Sequence, residues 1–175
     1  MPKANCMAEL LKIAQSVMRE ERWHEAIKLL KENSSVVKKH WELLWNLGWC
    51  YFKLERWDES QKYLTRATRL APENHVCKYA LGQVYLKKEQ YEKAELILSE
   101  ALRIKESHVA RIGLALAYLA QGRIAEAEKT HLDGIRFKPK KSEKYKSYAA
   151  FLSDVGREAE AAKMNRKAKE LQRVN

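Results

Sequence analysis

Proline and glycine are scarce, three and six among 175 residues. A many-stranded sheet needs turn residues at short intervals, so the shortage argues against an all-β chain and for long helices. Cysteine is nearly as rare. Cys6, Cys50 and Cys77 are odd in number and show no paired spacing. That argues against a disulfide framework and reads as reduced thiols in a cytoplasmic protein. No run approaches the roughly 20 apolar residues that span a bilayer, so no membrane insertion is expected. The opening MPKANCMAELLKIAQ also lacks the long apolar stretch and small-residue cleavage site of a signal peptide.

Catalytic motifs are missing as well. His24-Glu25 begins a metalloprotease-like string, but position 28 is Lys, so two histidines do not share one helix face. His75, His108 and His131 are scattered, and there is no phosphate-cradling glycine loop or nucleophile elbow. Cys50 reads as a small packed residue. These gaps predict no enzyme, no metal and no cofactor.

What the chain has is charge, tryptophan and period. The net charge is +11, and twelve of the Lys and Arg but only five of the Asp and Glu lie between Arg136 and Asn175. Such an end can draw an acidic partner or simply keep the chain solvated. The segment NLGWCYFKLERWDESQKYLTRA, from Asn46, aligns with ALGQVYLKKEQYEKAELILSEA, from Ala80, at an offset of 34 residues. The frame fits five times, with first helical residues at Met7, Trp41, His75, His108 and Ser142. Counting from those residues, position 8 is Ala14, Gly48, Gly82, Ala115 and Ala149. Position 20 is Ala26, Ser60, Ala94, Ala127 and Ala161; position 27 is Asn33, Ala67, Ala101, Gly134 and Ala168. Small residues there let two helices approach closely, while large residues at positions 7 and 11 fill the space around the contact. One helix pair cannot bury its apolar face alone, whereas stacked pairs can.

This pattern resembles the tetratricopeptide repeat over nearly the whole chain. The resemblance implies an all-α fold, a right-handed superhelical solenoid of five helix-turn-helix repeats. Residues 1–175 would form a single domain, with the last second helix as a C-terminal cap. It also implies a concave groove lined by positions 2, 5, 9, 12 and 13 of each first helix, and the function of an interaction module: an adaptor, scaffold or chaperone.

Four of the five tryptophans fall between Trp41 and Trp57. At about 100° per residue, Leu44, Leu47, Gly48 and Tyr51 form one stripe of the helix, and Trp45, Trp49 and Phe52 an adjacent one. Trp23 and Trp57 hold position 17, where an aromatic packs in the turn of a helix pair. Trp45 and Trp49 are the candidates for binding. Carried over from the family, the groove comprises Trp45, Trp49, Phe52 and Lys53 of the second repeat, Tyr79, Gln83, Leu86 and Lys87 of the third, and Ile112, Leu116 and Leu119 of the fourth. Trp45, Trp49, Phe52 and Tyr79 would anchor an apolar or amphipathic peptide. Asn46 and Gln83 would hold its backbone, and Lys53 and Lys87 would meet flanking acidic residues. The family's clamp for an acidic C-terminal carboxylate is matched only at Asn46, so that mode is not expected.

Two alternatives stand beside the peptide. One is assembly of copies of this chain. The other is nucleic acid at Arg136, Lys138, Lys140, Lys141, Lys144 and Lys146, with Tyr145 and Tyr148 as stacking rings. Both tyrosines hold packing positions and no RNA-reading motif is present, so nucleic acid is the weaker of the two.

Overall fold

A computed structural model describes residues 7–173. Cys6, read above as a free thiol, lies outside the described residues, as do the last two residues of the expected cap. Among the described residues the chain is entirely helical. Eleven helices run α1 (Met7–Arg19), α2 (Trp23–Glu32), α3 (Ser34–Val37), α4 (Trp41–Lys53), α5 (Trp57–Leu70), α6 (His75–Lys87), α7 (Tyr91–Ile104), α8 (His108–Ala120), α9 (Ile124–Phe137), α10 (Ser142–Asp154) and α11 (Glu158–Arg173). None is long and apolar enough to cross a membrane.

The helices divide into two compact units, Met1–Ile104 and Lys105–Asn175. In the first, α1 packs on α2, α4 on α5 and α6 on α7, with α2 against α4 and α5 against α6. In the second, α8 packs on α9, α10 on α11, and α9 against α10. The small residues lie where the pairs close. Ala14, Ala26, Ser60, Ala67, Ala94 and Ala127 are wholly buried. Ser60 buries a hydroxyl, and it donates to the Gly48 carbonyl at 2.9 Å, so the polar group is satisfied inside the contact.

One device recurs at the turn inside every pair. Glu21, Glu55, Glu89, Gly122 and Gly156 all have φ between 56° and 78°. The next backbone N–H then reaches back to a carbonyl five residues earlier: Arg22 to Val17, Arg56 to Tyr51, Gln90 to Tyr85, Arg123 to Tyr118 and Arg157 to Leu152. That is a left-handed helix stop, which satisfies a terminal carbonyl and favours glycine. Only the last two repeats use glycine. At Gly122 an added Cβ would meet nothing within 4 Å, so Gly122→Ala isolates the backbone strain. It should cost about 1 kcal/mol of stability in a urea titration followed by circular dichroism.

The first repeat departs from the others. Asn33 stands where a small residue would continue the second helix, and its side-chain amide donates to the Leu29 carbonyl at 2.9 Å. The chain leaves the helix there, so α2 is four residues shorter than α5, α7 and α9. It rewinds as the single turn α3, which the periodic reading did not anticipate.

Candidate functional site

The aromatic ladder of α4 follows from its spacing, since residues three and four apart share a helix face. Trp45 stacks on Trp49 with ring centroids 5.6 Å apart. Trp49 stacks on Phe52 at 4.9 Å, and Phe52 meets the edge of Trp57 at 5.2 Å. Trp45, Trp49 and Phe52 are all half-buried, so the ladder is neither sealed in the core nor free in solvent.

Beside its first two rungs lies a cavity of about 260 Å³, lined by Trp45, Asn46 and Trp49 of α4 with Gln15, Met18 and Arg19 of α1 and Trp23 of α2. Lys53 does not line it; its ammonium sits 5.7 Å from the Trp23 ring centroid and covers that ring. Two polar groups of the lining residues are unusual. Asn46 is only 1% exposed. Its Nδ2 and the Trp45 indole Nε1 are both sealed from solvent, and neither has a hydrogen-bond partner among the described residues. Each such donor costs about 1–3 kcal/mol when left unmet. Among the described residues Arg19 is the charged residue of the lining, and no carboxylate belongs to it. The site is therefore aromatic-walled, with Arg19 as its charge and the amides of Gln15 and Asn46 as its other polar groups.

The other predicted residues are distributed differently. Tyr79, Gln83 and Leu86 are half-buried on α6 and Lys87 is exposed; none lines this cavity. Burial pushes the Tyr79 hydroxyl above its usual range. Ile112, Leu116 and Leu119 belong to the second unit. There they line a separate cavity of about 270 Å³ with His131, Ala150, Phe151 and Asp154. One residue of the lining departs from the sequence reading and two agree with it. Trp23, assigned to turn packing, also contributes a wall. Met18 and Arg19 reach the cavity from α1, where the groove positions of the first repeat had placed them.

The basic C-terminal segment does not present all its cations. Lys144 is 4% exposed and lies 3.6 Å from Glu106, which also accepts from the Arg111 Nε at 3.0 Å. Those two cations, the Arg111 guanidinium first, hold the Glu106 carboxyl below its usual range. Tyr148 is buried and its hydroxyl donates to Glu128 at 2.5 Å; the Tyr145 hydroxyl donates to the Pro139 carbonyl at 2.9 Å. Lys144 and Tyr148 are thus spent inside the fold, which weakens the nucleic-acid reading.

Antiparallel helix pairs repeating about every 34 residues, each closed over small residues, define a helical-repeat protein. Models of the tetratricopeptide repeat match residues 6–73 and 42–107, and a second such model matches 79–141. The chain belongs to the tetratricopeptide repeat family. Among solved structures it is similar to MamA from Desulfovibrio magneticus RS-1, at 20% identity over 99% of both chains with a TM-score of 0.79. It is also similar to a tetratricopeptide repeat protein from Parabacteroides merdae ATCC 43184. That match has 23% identity and a TM-score of 0.83, over 95% of this chain and 66% of the other. At such identities the likeness shows the fold alone. A comparison with curated proteins gives no match.

Proposed function

We infer that the chain is a non-catalytic adaptor or scaffold, and that it takes an amphipathic peptide in the cavity beside Trp45 and Trp49. The observation that carries this reading is the pair of unmet donors, Trp45 Nε1 and Asn46 Nδ2, at an aromatic wall. Both donors are sealed as the side chains stand; rotation of Trp45 and Asn46 on binding would turn them to a peptide carbonyl or carboxylate, while an apolar side chain of the peptide packs on the two indoles. Arg19 favours a segment with acidic character. Phe52, Tyr79, Gln83 and Leu86 extend the surface along α4 and α6, and Lys53 and Lys87 set its basic edge.

Neither described thiol suits covalent catalysis. Cys50 and Cys77 are buried and unpaired, and burial pushes each up to about 12, far from a thiolate at neutral pH. A second reading, assembly of copies of this chain, draws on Val109 and Leu116, which are 48% and 47% exposed and seven residues apart on one face of α8. A sedimentation mass that stays monomeric over a dilution series removes it.

The test of the main reading is selection of peptides from a random displayed library, followed by calorimetric titration of the winners. The selected peptides are expected to place an apolar residue beside acceptors. Trp45→Phe keeps a ring but removes the donor, and should weaken binding about tenfold. The Trp45→Ala/Trp49→Ala double variant should lose binding with its helical signal intact. Winners held as tightly by the double variant would remove the site, and a library that yields none would remove the function.

A further inference from the structure

We propose that the first unit carries a second docking site, away from the tryptophan ladder, for an acidic peptide segment bearing a leucine-like residue. It lies where α3 interrupts the repeat. Leu30, Val37, Leu44 and Leu47, all at most 3% exposed, form the floor of a cavity of about 260 Å³. Lys31, Ser34, Lys38, Tyr63 and Arg66 line the same cavity above that floor. Lys38, Leu44 and Arg66 continue into a second cavity of about 210 Å³, which adds Arg69 and the half-exposed Leu70.

Charge names the occupant. Four cations, Lys31, Lys38, Arg66 and Arg69, border the two cavities, and among the described residues no carboxylate lines either. None of the four is in an ion pair among the described residues, although the chain pairs many of its other cations. Arg22, Arg56, Arg123 and Arg157 each bind a glutamate three residues on, and Lys88 binds Asp58. Lys31 is engaged with Tyr51, its ammonium 5.8 Å from that ring centroid, but Lys38, Arg66 and Arg69 leave a positive rim around the apolar floor, which favours a ligand with both carboxylates and an aliphatic side chain. Arg66 is half-buried and offers the planar fork that grips a carboxylate through two hydrogen bonds.

The aliphatic floor also decides against single-stranded nucleic acid, which needs open aromatic faces. The aromatic ring here, Tyr63, is already stacked on Tyr51 at 5.5 Å with planes 3° apart. Each cavity, at about 260 and 210 Å³, is smaller than the roughly 300–1,000 Å³ of a drug-sized pocket and suits a single side chain. On α4, Leu44 and Leu47 lie on a different flank from Trp45 and Trp49, so the two sites can be occupied independently.

A labelled synthetic peptide with leucine flanked on both sides by Asp and Glu tests this by fluorescence anisotropy. The wild-type chain is expected to bind it, with affinity falling as salt rises. Lys38→Ala/Arg66→Ala should weaken binding at least about tenfold, with the melting temperature unchanged. Replacing the peptide's leucine by serine should weaken it comparably. Trp45→Ala/Trp49→Ala should leave this binding as it was, which separates the site from the one proposed above. Binding unaffected by Lys38→Ala/Arg66→Ala, no binding at low salt, or tighter binding of a labelled single-stranded oligonucleotide would each overturn the proposal.

Discussion

Replacing Gly48 by leucine should lower the melting temperature of the first unit by more than about 10 °C. A Cβ at Gly48 would already stand 2.7 Å from Leu64 Cγ and 3.2 Å from the Leu64 backbone nitrogen. The side chain of Leu64 is wholly buried and has no open space to yield, and its backbone is part of α5. A whole isobutyl group therefore forces α4 and α5 apart and breaks the bond from Ser60 to the Gly48 carbonyl. Overpacking costs about 1–3 kcal/mol where side chains can adjust. Here the backbone is in the way, and a loss of at least about 3 kcal/mol is expected. That is a large share of the roughly 5–15 kcal/mol that hold a domain. Gly48→Ala should cost much less. A single methyl still presses on Leu64 Cγ, but it needs far less room than an isobutyl group, and alanine returns about 1 kcal/mol of helix propensity. All five tryptophans lie between Trp23 and Trp57, so their fluorescence reports on this unit directly. A leucine variant that melts with the wild type would show that α4 and α5 do not close over Gly48.

The second unit should lose stability on the order of 3 kcal/mol as pH falls from 6.5 to about 4, through one histidine. His131 of α9 is 7% exposed and packs against Tyr148 and Phe151, with ring centroids 5.9 and 5.2 Å away. Burial, then the charges of His108 and Arg111, pull it down to about 4, and Glu128 opposes them. Above pH 6.5 the ring is neutral folded or unfolded and the fold bears no penalty. Below it the unfolded chain takes up the proton first, so stability falls until the folded ring protonates as well near pH 4. His131→Phe keeps an aromatic ring beside Tyr148 and Phe151, and should leave the shallower slope of His108 and, at the acid end, that of the depressed Glu106 carboxyl. His108 is shifted down too, by burial first and by Lys144 second. Tryptophan is silent on this unit, so amide hydrogen exchange of α9 and α10 between pH 6.5 and 4.5 is the measurement. An unchanged slope in His131→Phe would refute the assignment.

How far the sequence reaches can be seen residue by residue. Gly48, Gly82, Ala94 and Ala127 could be recognised as close-contact positions because packing recurs with the repeat. Trp45, Trp49 and Phe52 could be placed on one flank because helical rotation is local. The left-handed turn was hidden, since glutamate fills it three times and glycine only twice. Lys144 was counted with a solvated basic end, but Glu106 and Arg111, more than thirty residues earlier, enclose it. Trp23 was assigned one role by its position and also meets a cavity assembled from three helices.

The sequence by itself determined the helix pairs, their period and the flank on which each ring stands, because these follow from spacing along one chain. Only the tertiary structure decided that Trp45 Nε1 and Asn46 Nδ2 are buried without an acceptor among the described residues, and that Lys38 and Arg66 border an apolar hollow that no described carboxylate lines. It also decided that His131 is stripped of water. Burial and the satisfaction of polar groups depend on atoms brought together from distant helices, and the period carries no record of those distances.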